Sequence, residues 1–171
     1  MALFAEVPQF PQAHYNVNVS WGYLEDHLKL SISEFGLDLE PDFQRAHVWT
    51  REQQIAYIEY ILRGGEVGRN LTFNAVGWDN NFVIGTYVIV DGKQRLEAVR
   101  AFLRGDIPAF GHYRSEYTDS LRLVGPDFVW RICALRSKKE ILELYLNINA
   151  GGTPHTQEEL DRVRSLLKEC S

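Results

Sequence analysis

The sequence predicts an α+β fold, a compact domain with a small mixed sheet and several flanking helices. Short apolar runs bounded by turn residues, such as residues 87–90 and 128–135, are typical of buried strands. Stretches whose apolar residues recur every three or four positions, such as residues 96–103, are typical of amphipathic helices. Few strands and several helices occur along the chain, which is a mixed α+β pattern.

Length and composition indicate one ordinary globular domain. The chain has 171 residues, of which 45% are apolar and 24% charged. We expect a single domain over residues 1–171, with an N-terminal extension at 1–19 and a core at 20–167. No apolar run approaches the roughly 18 residues of a membrane helix, and the first ten residues do not resemble a secretion signal. We therefore expect a cytoplasmic protein without membrane association.

The net charge of the chain indicates which classes of partner it can bind. The net charge of -5 and the pI near 5.5 weigh against broad binding to a nucleic-acid backbone, although they leave a local basic patch open. The five histidines show no metal-ligand spacing, and the sequence contains no nucleophile motif of a hydrolase.

In the first half of the chain, capping residues mark the predicted helices. Ser20 can cap a helix through Ser33. Thr50 and Gln53 form a capping box for a second helix, which Gly64 and Gly65 end. Extended or strand segments are predicted at residues 37–49, 71–76 and 82–90, the last as one strand or as two short strands broken near Gly85.

In the second half, the central question is the turn at Asp91 and Gly92. Asp-Gly after an apolar run is also a hairpin signal, but helical spacing begins at Leu96 and favours a helix. Residues 107–127 are predicted to be mostly loop, and residues 128–135 a strand. Capping boxes at Ser137/Glu140 and Thr156/Glu159 predict two further helices.

The strand, turn and helix around Asp91–Arg95 form the most informative candidate site. Gly92 permits close backbone approach, and the unpaired N–H groups of a helix start suit a phosphate. Lys93 and Arg95 add positive charge, and Asp91 could hold a divalent cation or polarise a nucleophile. The alternative is that Asp91 only caps the helix and Lys93, Gln94 and Arg95 face water.

A second candidate segment is Pro41 to Trp49. Gln44, Arg45 and His47 lie there just before a helix, and Arg45 can make a bidentate contact to phosphate or carboxylate. The alternative is that the apolar residues of the segment are core anchors and its polar residues face water.

A third candidate segment is Asn147 to Thr156. Asn147, Asn149, Thr153 and His155 could present donors and acceptors to a base or ribose. The alternative is that the glycine pair at 151–152 simply ends a helix.

Together these segments resemble one family. "DFQRAHVW" at 42–49, "VDGKQRL" at 90–96 and "NINAGGTPHTQEEL" at 147–160 are similar to motifs of the ParB/sulfiredoxin-like domains of GmrSD-type proteins. The resemblance implies a ParB-like fold that binds a nucleoside triphosphate. It assigns Asp91, Gly92, Gln94 and Arg95 to the nucleotide motif and Gln44 and Arg45 to a companion segment. Lys93 replaces a usual Gln, and no nuclease domain is recognisable before Ser171, so the resemblance is to a stand-alone domain.

The first functional hypothesis is a Mg²⁺-dependent NTPase or phosphotransferase in bacterial or phage DNA metabolism or defence. Its catalytic candidates are Asp91, which would hold Mg²⁺ or orient water, Arg95 and Arg45. Its nucleotide-binding candidates are Gly92, Lys93, Gln94, Gln44, Asn147, Asn149 and Thr153.

Two other classes of function remain open. The first is a DNA-binding or modified-DNA-sensing module that works with a separate nuclease. The second is a nucleotide-responsive partner subunit, with homo-oligomers included, for which Tyr57, Tyr60 and the C-terminal helix offer contact surfaces. The alternative for these tyrosines is an ordinary place in the core or at its rim.

Overall fold

The computed structural model describes residues 15–44, 48–78, 82–119, 126–149 and 157–170, with the side chains of 157–160 excepted. Its strands are β1 (Tyr15–Ser20), β2 (Asn70–Asn74), β3 (Val88–Asp91) and β4 (Asp127–Cys133). Its helices are α1 (Leu24–Phe35), α2 (Arg51–Leu62), α3 (Lys93–Arg104), α4 (Lys138–Asn149) and α5 (Gln157–Glu169). Short 3₁₀ turns occupy Trp21–Tyr23 and Arg114–Glu116. The α+β prediction is confirmed.

The four strands form one mixed sheet in the order β1-β4-β2-β3. β4 pairs antiparallel to β1 and parallel to β2, and β2 pairs antiparallel to β3. Because of these directions, the carboxyl end of β3 lies at the same end of the sheet as the first residues of β2 and β4. Asp91, the last residue of β3, is the register partner of Thr72.

Both faces of β3 are buried at Ile89 and Val90, which explains the apolar run Val88–Val90. Ile89 packs into the larger core cluster, whereas Val90 belongs to the cluster on the other side. The larger cluster joins the sheet to α1, α2 and α3 through Leu28, Ile58, Phe73, Leu96, Phe102 and Trp130. The smaller cluster joins it to α4 and α5 through Phe43, Cys133, Leu142, Tyr145 and Val163.

Several local predictions are confirmed. Thr50 and Gln53 form a reciprocal capping box at the start of α2. The Ser137 hydroxyl accepts the Glu140 N–H at 3.2 Å, and the Glu140 carboxylate accepts the Ser137 N–H at 3.0 Å. Ser20 caps the 3₁₀ turn that leads into α1. The capping box proposed at Thr156 lies outside the described residues.

Other local predictions were incomplete or wrong. Residues 1–19 were predicted to be an N-terminal extension, yet β1 lies within them up to Val19 and pairs along its whole length with β4. A strand over residues 82–90 is wrong before Val88, because Val83 donates to the Val76 carbonyl and the Thr86 hydroxyl donates to the Val83 carbonyl. These bonds fold residues 83–86 into a turn. In the described part of the chain, no helix has the length and apolarity needed to cross a bilayer.

Candidate functional site

The start of α3 is built on a glycine that no other residue can replace without displacing its surroundings. Gly92 is the N-cap, with φ at 99°, and it contributes no side-chain cap. A Cβ at this position would lie 2.3 Å from Cδ2 of Leu71. Leu71 therefore fills the space that a side chain at the N-cap would take, and the first turn of α3 receives no side-chain cap from Gly92. An uncapped helix start carries N–H donors and a partial positive charge, which suit an anion.

Arg95 places a guanidinium beside this helix start. Its Nη2 donates to Oδ2 of Asp91 at 2.5 Å, one turn back along the chain. Both side chains are about three-quarters buried, at 22% and 27% exposed. A Cβ at Gly92 would lie 3.1 Å from Nη2 of Arg95, so the absence of a side chain at Gly92 makes room for the guanidinium.

The loop before β2 forms a second wall of the site, and its place there was not predicted from the sequence. Gly68, with φ at 83°, approaches so closely that a Cβ there would lie 3.5 Å from Cδ of Arg95. The Tyr57 hydroxyl donates to the Gly68 carbonyl at 2.9 Å. Arg69 donates from Nε to the Gly65 carbonyl at 2.8 Å, and its Nη1 lies 3.3 Å from Oδ1 of Asp127.

The environment of Tyr57 keeps its hydroxyl neutral. Burial raises the pKa of Tyr57 far above its ordinary value of 10, although the nearby guanidinium groups of Arg95 and Arg69 oppose that shift. The sequence carries a local signal for this loop, since Gly68 and Arg69 directly precede the strand β2. The prediction used only the nearby Gly64 and Gly65, as the end of a helix.

Lys93 and Gln94 are both buried, so neither is a solvated polar residue of a plain helix start. The Lys93 ammonium forms an ion pair with Glu40; the lysine side chain is 6% exposed and the glutamate side chain 75%. Oε1 of Gln94 accepts the backbone N–H groups of Val48 and Trp49 at 2.9 and 3.1 Å.

Gln44 lies just before residues 45–47 and, like Gln94, binds backbone groups through its side-chain amide. Its Nε2 donates to the carbonyl groups of Ile89 and Val90, at 3.2 and 2.8 Å. Gln44 and Gln94 therefore fix the backbone on either side of residues 45–47 to β3 and α3. Arg45 and His47 themselves lie outside the described residues.

The third predicted segment is only partly described. Asn147 is exposed on α4, and Nδ2 of Asn149 donates to the Tyr145 carbonyl one turn earlier, at 2.8 Å. Thr153 and His155 lie outside the described residues.

Carboxylates already balance the cations of the site. Lys93 faces Glu40, Arg95 faces Asp91, and Arg69 faces Asp127. An anion that binds here must compete with a carboxylate for each cation, or the carboxylate must acquire another partner.

The candidate site offers few side chains that could coordinate a metal ion. Among the described residues, no group of three or more His, Cys, Asp and Glu side chains could hold an ion. Asp91 alone fits Mg²⁺ only in the manner common in nucleotide sites, where one or two carboxylates and substrate phosphates share the ion.

A groove of about 440 Å³ lies elsewhere, at the opposite edge of the sheet. It is lined by the end of β2 and the start of α4, including Asn74, Ser137 and Lys138. Four charged residues line this groove, Asp38, Asp42, Arg136 and Lys138, and Lys138 pairs with Asp42. The helix start at Gly92 is therefore a separate site.

Comparison with protein families identifies a match over most of the fold. The family model described as the GmrSD restriction endonuclease, N-terminal domain, matches residues 24–131. The match covers more than half of the chain and includes Gln44, Gly68 and the whole of β3 and α3.

The chain belongs to this GmrSD N-terminal domain family. No curated protein and no solved structure matches the chain. The matched region ends at Arg131 in β4, so α4, α5 and the segment from Asn147 to Thr156 lie outside it. Membership in this family connects the chain with restriction endonucleases, whereas the relation to ParB and sulfiredoxin remains a prediction from the motifs.

Proposed function

We propose that the β3–α3 turn binds the phosphates of a nucleoside triphosphate and that the protein hydrolyses this nucleotide. The observation that carries the proposal is the helix start at Gly92, which is free of a capping side chain and has the Arg95 guanidinium beside it. A helix start and an arginine together supply N–H donors and positive charge to phosphate oxygens.

The carboxylate partners imply that binding depends on Mg²⁺. Without the metal, a triphosphate would compete with Asp91 for Arg95 and with Glu40 for Lys93. A Mg²⁺ ion that arrives with the nucleotide supplies charge neutralisation for the phosphates and gives Asp91 an alternative partner. Arg95 is then available to the phosphate.

The roles of the side chains follow from their positions. Arg95 contacts the transferred phosphoryl, Lys93 contacts a neighbouring phosphate, and Asp91 orients the attacking water. Water forms the new bond to the terminal phosphorus, and the nucleoside diphosphate leaves with the electrons of the broken bond. Arg45 enters the proposal from the sequence alone, as a second cation that neutralises charge on the transferred group. Transfer to another acceptor is the phosphotransferase variant of the same reaction.

The remaining predicted residues have secondary roles in this proposal. Gln44 and Gln94 act by bracing the segment that carries Arg45, rather than by touching the ligand, because their amides bind backbone groups. Asn147, Asn149 and Thr153 remain proposed contacts to the base or ribose.

A thermal-shift screen with ATP, GTP, CTP and UTP tests this proposal. Ligand at about a hundred times its dissociation constant adds roughly 2.7 kcal/mol of stability. We expect at least one nucleotide with Mg²⁺ to raise the unfolding midpoint and to release inorganic phosphate over time. A midpoint that none of the four changes would refute binding, whereas a shift without phosphate release would refute only hydrolysis.

A second candidate function rests on the family match. A domain related to restriction endonucleases could bind DNA, or sense modified bases, and act with a separate nuclease. A titration with duplexes that differ only in base modification distinguishes this function: tight binding that falls steeply with salt and depends on the modification would favour it over nucleotide hydrolysis.

A third candidate is a nucleotide-responsive partner subunit. Tyr60 is exposed and remains available as a contact, whereas Tyr57 is engaged in the candidate site. The mass of the protein in solution, measured with and without nucleotide, tests for homo-oligomers: a change on adding nucleotide would support this candidate.

A further inference from the structure

An exposed phenylalanine beside the carboxyl end of α2 holds an unfavourable backbone conformation. Ala109 and His112 exchange both backbone hydrogen bonds around a two-residue turn, in which Phe110 has φ at 49° and Gly111 has φ at 80°. This turn type favours Asn, Asp or Gly at its first position, because a larger side chain is strained at positive φ. Phe110 is the one described non-glycine residue with positive φ.

Core packing does not account for this choice of residue. Phe110 is 41% exposed and belongs to neither core cluster. Its N–H donates to Oε1 of Glu59 at 2.7 Å, and the Arg63 guanidinium lies 5.0 Å from the centre of its ring. The Tyr117 hydroxyl stabilises this turn by donating to the Ala109 carbonyl. The ring is therefore presented at the surface on a fixed support.

Arginines without carboxylate partners lie along the same surface. Within the described ranges, Arg51 and Arg63, at the two ends of α2, form no salt bridge. Arg51 donates only to the Asp106 carbonyl, at 2.9 Å. Arg51 also lines an open cleft of about 470 Å³ together with Tyr113, three residues beyond Phe110.

The carboxylates on this surface are already engaged. Glu59 accepts the Phe110 N–H, Glu116 accepts the Tyr113 N–H, and Asp106 pairs with Arg104. Glu59 and Glu116 accept from neutral N–H groups, which fix them in place but leave them charged, whereas Arg51 and Arg63 form no salt bridge with them.

We infer that this surface, defined by Arg51, Arg63, Phe110 and Tyr113, binds single-stranded nucleic acid. A base stacks on the Phe110 ring, and the guanidinium groups of Arg51 and Arg63 contact phosphates of the same strand. Exposed aromatic rings interleaved with arginine are the chemistry by which unpaired bases and their backbone are recognised. A duplex keeps its base faces inside the stack and cannot use the ring in this way.

This surface is separate from the nucleotide site and does not depend on the proposed function. Tyr57 faces the nucleotide site from α2, whereas Arg51 and Arg63 lie at the ends of that helix and contact the 105–117 region. The overall charge of -5 opposes binding to a long backbone, so we expect recognition of a few nucleotides rather than extended coverage.

The decisive variant is Phe110→Asn, because asparagine suits the turn and preserves the fold. We expect its unfolding midpoint to equal or exceed that of the wild type, while its affinity for a fluorescent oligothymidylate falls about tenfold. Arg63→Gln should lower the slope of log affinity against log salt by about 0.7, the amount for one phosphate contact. Tyr23→Asn removes an aromatic that is 69% exposed outside this surface and should leave affinity unchanged.

Fluorescence anisotropy without nucleotide measures these affinities. Weak, salt-dependent binding of the oligothymidylate that Phe110→Asn and Arg63→Gln both reduce would support the inference. Absence of binding, equal binding by Phe110→Asn, or preference for the matching duplex would overturn it. A wild-type mass that rises with concentration and returns to the monomer in Phe110→Asn would also overturn it, because the ring would then serve a protein contact.

Discussion

Gly92 is the residue on which the geometry of the candidate site depends most. Its φ of 99° and the 2.3 Å approach of Leu71 exclude a side chain for two independent reasons. Gly105, at the other end of α3, has a similar φ of 81° but nothing within 4 Å of where a Cβ would lie. Substitutions at the two glycines therefore distinguish two contributions to the free energy of unfolding. Both include the strain of positive φ, and only the one at Gly92 includes the clash with Leu71.

We predict that Gly92→Ala destabilises the protein more than Gly105→Ala does. Backbone strain alone costs about 1–3 kcal/mol, and overpacking against Leu71 adds about 1–3 kcal/mol at Gly92. Urea unfolding of both variants measures the difference. Equal losses would show that Leu71 moves aside freely and that the site does not require a glycine for space.

Glu40 is the residue whose removal should strengthen nucleotide binding. It is an exposed carboxylate on the buried Lys93, so it competes with a phosphate for that ammonium. We predict that Glu40→Gln lowers the dissociation constant for a Mg-nucleotide several-fold. Asp42→Asn is the matched control, because Asp42 lies two residues away and pairs instead with Lys138. Weaker binding by Glu40→Gln, with Asp42→Asn unchanged, would mean that Glu40 supports the ligand.

At the residue scale, sequence reasoning succeeded where the contacts are local. Asp91, Gly92 and Arg95 lie within one turn, and a strand followed by helical spacing sufficed to place them together. The hydrogen bonds of Gln44 and Gln94 span 46 residues each, so their bracing role could not be deduced from neighbours in the sequence. The approach of Gly68 to Arg95 depends on sheet pairing and was missed for the same reason.

At the scale of elements, one buried amide holds the far edge of the sheet together. Asn74 ends β2, and its Nδ2 donates to the carbonyls of Thr86 and Leu135, both at 3.1 Å. Its Oδ1 accepts the Leu135 N–H at 2.7 Å. A single side chain thus joins β2 to the turn before β3 and to the chain after β4.

We predict that Asn74→Ala destabilises the protein by about 2–4 kcal/mol, because each buried polar group left without a partner costs about 1–3 kcal/mol. Asn70→Ala, at the exposed start of the same strand, should change the free energy of unfolding by less than about 0.5 kcal/mol. Urea unfolding curves measure both, and a small loss at Asn74 would show that water replaces the amide.

The packing of α1 on β4 should depend on pH through His27. The imidazole lies edge-on to Trp130 with ring centroids 4.5 Å apart, and its buried Nε2 has no hydrogen-bond partner among the described residues. Burial lowers the pKa of His27 below its ordinary value of 6.5. The unfolded chain therefore binds a proton at a higher pH than the folded protein does.

This contribution of His27 to stability is fully present above pH 6.5 and is lost as the pH falls from 6.5 towards the folded pKa. We predict a thermal unfolding midpoint that declines over that range, and a smaller decline in His27→Phe, which keeps a ring against Trp130. Identical pH profiles for the two proteins would show that His27 titrates as freely when folded as when unfolded.

Elements with strong local signals were predicted, and those defined by pairing were not. The capping boxes of α2 and α4 are local in sequence and were found. β1 carries the exposed Asn16 and Asn18 beside Val17 and Val19, and its identity as a strand comes from its pairing with β4, more than 100 residues later. A break near Gly85 was one of the two predicted alternatives and agrees with the turn, whereas the strand predicted before it is absent because Phe82, Val83 and Ile84 resemble the apolar residues of β3.

At the scale of the whole molecule, net charge is a poor guide to local chemistry. The chain carries 23 acidic and 18 basic side chains, yet Arg51 and Arg63 have no carboxylate partner in the described ranges. In the candidate site, by contrast, each of the three cations faces one carboxylate. From this local pairing, which composition does not reveal, we predict that the site prefers a metal-bound triphosphate to a free phosphate.

The central claim is that a nucleoside triphosphate binds at the start of α3 through Arg95. Calorimetric titration of the Mg-nucleotide into the wild type, Arg95→Gln and Arg104→Gln tests it most directly, since Arg104 lies at the other end of the same helix. A charged hydrogen bond is worth about 1.5–3 kcal/mol, so Arg95→Gln should weaken binding at least tenfold while Arg104→Gln binds as the wild type does. Equal binding by the wild type and Arg95→Gln, or no binding by the wild type, would contradict the claim.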